Sequence, residues 1–282
     1  MKSKIYNTIL VIIFLIGLSL LLYPTVSDYW NSFTSSRAIT HYSDEVANMN
    51  AELYKSILTQ AQDYNAGLVG RANSYLLSDE QKVRYNELLN IDGTGVMGYV
   101  EVPHIKVSLP IYHGTEENVL QVAIGHLEWS SLPVGGESSH CVISGHRGLP
   151  SAKLFSDLDE LIAGDIFMIR VLDETFTYEI DQILIVEPQD TEALLIEEGK
   201  DLCTLVTCTP YGINTHRLLV RGHRIENMDD GSVRVTSDAM QIEPIIVAPI
   251  VAMPMILLLV LAVMFVPGKK EKPEKAKGRH EK

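Results

Sequence analysis

The hydrophobic positions of this chain fall into three regimes. Residues 5–27 carry no charge and are mostly Ile, Leu and Val, long enough as a helix to cross a bilayer, which needs about 20 residues. The run ends Leu20-Leu-Leu-Tyr-Pro24 rather than in the small residues of a cleavage site, so residues 1–27 are expected to be an uncleaved anchor and not a signal peptide. Next, Val46, Met49, Leu53, Ile57, Ala61 and Tyr64 recur at steps of three and four. That spacing predicts one amphipathic helix over 43–64, opened by Ser43 or Asp44 and broken by Gly67 and Gly70. Ser78-Asp-Glu-Gln81 is a capping-box pattern that starts another helix running to about Asn90. Residues 28–97 thus read as a helical stalk.

From Gly98 the period changes to two. Residues 98–102, 107–111, 140–144, 166–171, 175–186, 202–208 and 218–225 read as strands, with short helices expected at 119–124, 152–158 and 191–197. Many short strands punctuated by Gly and Pro predict a closed or nearly closed β-barrel over 98–227. Residues 228–243 form a linker. Residues 244–268 are again uncharged, with Pro249 and Pro254 inside, and 269–282 are a basic tail. Lysine-rich flanks stay cytoplasmic, and both apolar runs are lysine-flanked. A membrane hairpin follows, with both termini cytoplasmic and the segment between the spans outside the cell.

Charge narrows the partners. The 282-residue chain carries −13; Lys2 and Lys4 contribute +2 and the tail +4, leaving −19 between them. Nucleic acid is not expected against that surface. The three cysteines, Cys141, Cys203 and Cys208, are an odd set for an extracellular domain, so a free thiol is expected rather than a disulfide framework. If the strands bearing Cys141 and Cys203 run parallel and adjacent, those two sit at equal depth, most simply as small buried fillers.

Cys208 ends a strand in which Leu202, Thr204, Val206 and Cys208 share one face. Thr209-Pro-Tyr-Gly212 stops that strand, and Arg217 opens the next. Upstream, Ser139-His-Cys-Val-Ile-Ser144 is followed by the turn Gly145-His-Arg-Gly148. A thiol attacks as thiolate, a form favoured by a nearby imidazolium or guanidinium. If the two strands are neighbours, His146 and Arg217 both flank Cys208. His126 and His216 are rivals of His146 as acid/base, and Arg147 and Arg221 are rivals of Arg217. A metal site from His140, Cys141, His146 and Cys208 lacks the close paired spacing of structural zinc ligands, and no cofactor is implied.

Thr204-Leu-Val-Thr-Cys208 with Arg217, and Ser144-Gly-His-Arg-Gly148 before them, resemble the signature of sortases, the membrane-anchored cysteine transpeptidases of Gram-positive bacteria. The likeness covers roughly residues 98–225. Gly98 to Gly114, Gly125 to Gly136, Gly145 to Phe155 and the second span resemble the pilin-polymerising class C. The resemblance implies a mainly β fold, an eight-stranded barrel with short helices. It also implies Cys208 as nucleophile, His146 as acid/base and Arg217 as stabiliser of oxyanion or substrate. The implied reaction cleaves a Leu-Pro-x-Thr-Gly-like sorting signal between Thr and Gly and passes the acyl group to a pilin lysine. Pilins or surface proteins and membrane lipid would be the partners. In class C a lid in the helical region typically inserts an Asp-Pro-aromatic tripeptide; none occurs between Tyr64 and Gly98. Attachment of surface proteins to a cell-wall amine is the alternative within the same chemistry. A non-catalytic membrane scaffold is the alternative outside it.

Overall fold

A computed structural model describes residues 2–70 and 76–227, with Ile256 alone beyond them. The chain divides into two units: Met1–Leu22 with Gln241–Lys282, and Tyr23–Met240. Helix α1 (Lys2–Ala47) contains Pro24 without ending there, and it is the one described helix long and apolar enough to cross a membrane. The second span expected at 244–268 lies, apart from Ile256, outside the described residues.

The single helix expected over 43–64 is two. Helix α1 continues to Ala47, and α2 (Ala51–Ala66) begins afresh. Asn50 is extended, and its side-chain oxygen accepts from Leu53 N at 2.8 Å. Asn48 turns back to Asp44 O at 2.8 Å. These short amides offer the backbone partners outside the helical ladder, which is why the apolar period runs across a break it does not reveal. Helix α3 (Asp79–Glu87) starts where the capping box put it, with Ser78 and Gln81 bonding each other's backbone N–H.

The barrel is closed in the order β1-β2-β3-β4-β7-β8-β6-β5. Its strands are β1 (Val96–Val102), β2 (Val107–His113), β3 (Ile124–His126), β4 (Ser139–Ser144), β5 (Ile166–Val171), β6 (Glu174–Val186), β7 (Asp201–Thr209) and β8 (His216–Ile225). Seven follow the alternating runs. The eighth, β3, lies where a helix was expected over 119–124. Only Glu117–Leu120 is helical there (α4), and Ile124 then pairs with Ile111 of β2. The segments expected as helices at 152–158 and 191–197 instead hold turns, with 3₁₀ turns at Leu158–Glu160 and Glu192–Leu194. Closure leaves no free sheet edge, and the interior fills with apolar side chains including Met97, Ile111, Ile143, Phe155, Phe167 and Val220.

Each of the first three helices sends one polar side chain into the barrel wall. Tyr42 Oη of α1 donates to Met97 O and accepts from Leu172 N. Asn65 of α2 pairs twice with the backbone of Leu132, at 3.0 and 2.7 Å. Tyr85 of α3 meets His126 Nδ1 at 2.9 Å and accepts from Gly114 N at 3.0 Å. All three are buried, so each bond also removes an unpaired polar group that would be costly there. Thus the helices are docked on the barrel.

Candidate active site

Alternation divides β4, β7 and β8 into two faces. Cys141, Ile143, Cys203, Leu205, Leu218 and Val220 belong to the core. Val142, Val206 and Leu219 form a second cluster outside the barrel wall, joined by Leu127, Trp129, Leu184, Val186 and Leu194. Cys208 has the parity of Val206, and Arg217 that of Leu219. On the same face His140, Thr204 and Arg221 lie beyond this cluster at one end, and Cys208 and Arg217 at the other.

Strand register sets that end. Antiparallel pairing places Cys208 directly opposite Arg217. Parallel pairing sets Ser144 against Val206, and Gly145 N continues the ladder to Val206 O at 3.0 Å. His146 follows directly on Gly145, two residues beyond the end of β4. Cys208, His146 and Arg217 are all half-buried, as suits groups held by a wall yet reachable from solvent. Arg217 donates only to the carbonyls of Asn214 and His216, at 3.4 and 3.1 Å, and has no ion-pair partner among the described residues.

The rivals are committed elsewhere. His126 is fully buried between Tyr85 Oη and Ser131 O. His216 bonds its neighbour Thr215 at 2.9 Å. Arg221 is held by Asp181 and Glu197. Arg147 pairs with Asp159 and lies 5.5 Å from the centre of the Tyr211 ring. Cys141 and Cys203 are register partners; both are free thiols and buried, and burial pushes Cys203 well up.

The Thr207 contact and the crowding at Gly145 escaped the sequence reading. Thr207 is buried facing the core, and its hydroxyl donates to Gly145 O at 2.8 Å. It thereby ties the residue before Cys208 to the residue before His146. A polar residue on the inward face of an otherwise apolar alternation was the available signal. Gly145 itself has no room for a side chain, since a Cβ would stand 2.7 Å from both Ile124 and the Phe155 ring. Gly148 has φ +74°, a conformation that favours glycine.

Comparison with known proteins accords with this geometry. The Sortase domain family matches residues 100–225. The crystal structure of sortase C1 from Streptococcus agalactiae is 53% identical in sequence, with a TM-score of 0.67, and the match covers 68% of this chain and 100% of that one. The chain belongs to the sortase family. Sortase C from Streptococcus pneumoniae is 44% identical at TM-score 0.62, over 68% of this chain and 97% of that one. Sortase D of Bacillus subtilis is 33% identical over 131 residues, 45% of this chain and 63% of that protein. These two solved neighbours are class C sortases, and the eight-stranded barrel of this sortase is the family's. The family is one of cysteine transpeptidases.

Proposed function

We propose that this sortase joins pilin subunits. The Cys208 thiolate attacks the Thr carbonyl of a Leu-Pro-x-Thr-Gly-like sorting signal, and the tetrahedral oxyanion is stabilised by Arg217. His146 protonates the departing glycine amine, leaving a thioester on Cys208. A lysine amine of another pilin, deprotonated by His146, then attacks the thioester. An isopeptide bond forms and the thiolate is regenerated. The thioester conserves the acyl group's reactivity, so no nucleotide is consumed. The observation that supports this reading is the register opposing Cys208 to Arg217, with the turn that carries His146 continuing from the neighbouring strand β4. Pilin substrate specificity is ascribed to the pneumococcal sortase C, which supports the choice of acceptor.

The domain would act outside the cell, held by residues 1–27 and a second span at 244–268, with 28–97 as its stalk. No Asp-Pro-aromatic lid motif occurs between Tyr64 and Gly98, and residues 71–75 lie outside the described residues. Incubating the full-length enzyme with a pilin bearing both a sorting signal and its acceptor lysine tests the proposal. Covalent ladders are expected, and none with Cys208→Ala. Ladders unaffected by Cys208→Ala would indicate a scaffold. Transfer only to a cell-wall peptide amine would indicate anchoring.

A further inference from the structure

Between Lys4 and Arg37 the sequence carries one charged side chain, Asp28, immediately after the uncharged run 5–27. That run makes about 35 Å of helix at ~1.5 Å per residue, slightly more than the ~30 Å of a bilayer's hydrocarbon core. If α1 crosses a membrane, Asp28 stands at its outer border, because the core disfavours an ionised carboxylate. Around it α1 exposes Tyr23, Tyr29, Trp30 and Phe33, with Trp30 68% exposed. Trp and Tyr rings collect at membrane–water borders. Arg37 lies 5.8 Å over the Phe33 ring.

The same stretch is bonded to the barrel's loops. Asp28 Oδ1 accepts from Lys153 N at 2.6 Å, and Asn31 Nδ2 donates to Val122 O at 3.0 Å. Lys153 is two residues before Phe155, whose N–H donates to His146 O at 3.2 Å. Two residues span at most about 7 Å, so His146 O lies within about 13 Å of the Asp28 carboxylate. Tyr42, bonded to Met97 and Leu172, is roughly 21 Å further along the helix. The turn that carries His146 is therefore tied to the part of α1 next to the membrane border.

We infer that the catalytic unit has a lipid-facing surface, made by α1 from Tyr23 to Phe33 with the loop tips at Val122 and Lys153, which rests on outer-leaflet headgroups. The inference rests on the anchor reading of α1. Val122 is half-exposed, and the Lys153 side chain reaches solvent while its ammonium pairs with Asp157, an apolar tip and a charge-balanced one of the kind a zwitterionic headgroup layer accepts. The cleavage site then sits close above the bilayer, where it meets peptides still tethered to the membrane.

Depth-dependent quenching tests this. Full-length protein with Cys208→Ala would carry one fluorophore, through Ile13→Cys, Lys153→Cys or Glu198→Cys. It would be reconstituted in phosphatidylcholine/phosphatidylglycerol vesicles containing nitroxide lipids labelled at the headgroup or deep in the acyl chain. Lys153→Cys keeps the backbone N–H that Asp28 binds, and Glu198 precedes β7 at the end far from Cys208. The deep label should quench residue 13. The headgroup label should quench residue 153 severalfold more than residue 198. Quenching at 13 with 153 no more quenched than 198 would overturn the surface while leaving the anchor intact. No quenching at 13 would remove the anchor and the surface together.

Discussion

Thr207→Val is a sharp probe of how the site is held. Valine keeps the shape of threonine and removes the hydroxyl that donates to Gly145 O at 2.8 Å. Both groups are buried, so the carbonyl loses its donor where water does not readily replace it, at a cost of about 1–3 kcal/mol. For a domain of this size, each kcal/mol lowers Tm by about 2–4 °C. The consequence for catalysis is separate. The lost bond links the residue before Cys208 to the residue before His146, and a shift of ~1 Å between reacting groups can cost about 10²-fold in rate. Steady-state cleavage of a fluorogenic sorting-signal peptide should therefore show kcat reduced roughly 10- to 100-fold with KM little changed, since Thr207 faces the core and not the solvent-exposed surface. Thr207→Ser restores the donor and should restore most of kcat. Full activity in Thr207→Val despite a lowered Tm would show that the bond stabilises the barrel without positioning the site. Failure of serine to rescue would carry the same meaning.

Arg217→Ala should lower kcat by about 10²–10³-fold, the usual loss on removing an oxyanion donor, whereas Arg147→Ala and Arg221→Ala should each stay within about tenfold on the same peptide assay. Tyr85→Phe removes the hydroxyl shared by His126 and Gly114 N. It should destabilise the protein by about 2–4 kcal/mol as buried partners are orphaned, read as a lowered midpoint in urea followed by circular dichroism. Burial pushes both His113 and His140 below the usual histidine value. The unfolded chain therefore binds more protons just below about pH 6.5. Stability conferred by these neutral imidazoles is complete above that pH and is lost as pH falls toward their folded values. Thermal melts should accordingly show Tm falling from pH 7.5 to 5.5, less steeply in His140→Asn. An unchanged slope in that variant would remove His140 from the account. Asp201, raised by burial, works in the opposite sense.

The strand end at Cys208 and the turn after Ser144 were legible because their signals are local. Proline ends the strand after Cys208, glycines bracket the His146–Arg147 turn, and period-2 alternation assigns Cys208 and Val206 to one face. The capping box at Ser78 was legible for the same reason. What was hidden depends on partners distant in sequence. Strand β3 exists only because Ile124 and His126 find β2 and β4, and its few residues carry too little alternation to announce themselves. The helix break at Asn48–Asn50 interrupts an apolar period that continues through it. Tyr42, Asn65 and Tyr85 look like ordinary helix residues until the barrel atoms they bind, at Met97, Leu132 and His126, are in place. The equal depth of Cys141 and Cys203 followed from spacing alone once the strands proved parallel.

Trapping the acyl-enzyme tests the central claim most directly. The full-length protein, mixed with a Leu-Pro-x-Thr-Gly peptide and quenched in acid within the first turnover, should gain the mass of the fragment ending in Thr. Digestion should place that mass on Cys208, and neutral hydroxylamine should release it. Peptide cleavage with no adduct on Cys208, or an adduct that survives Cys208→Ala, would contradict the account.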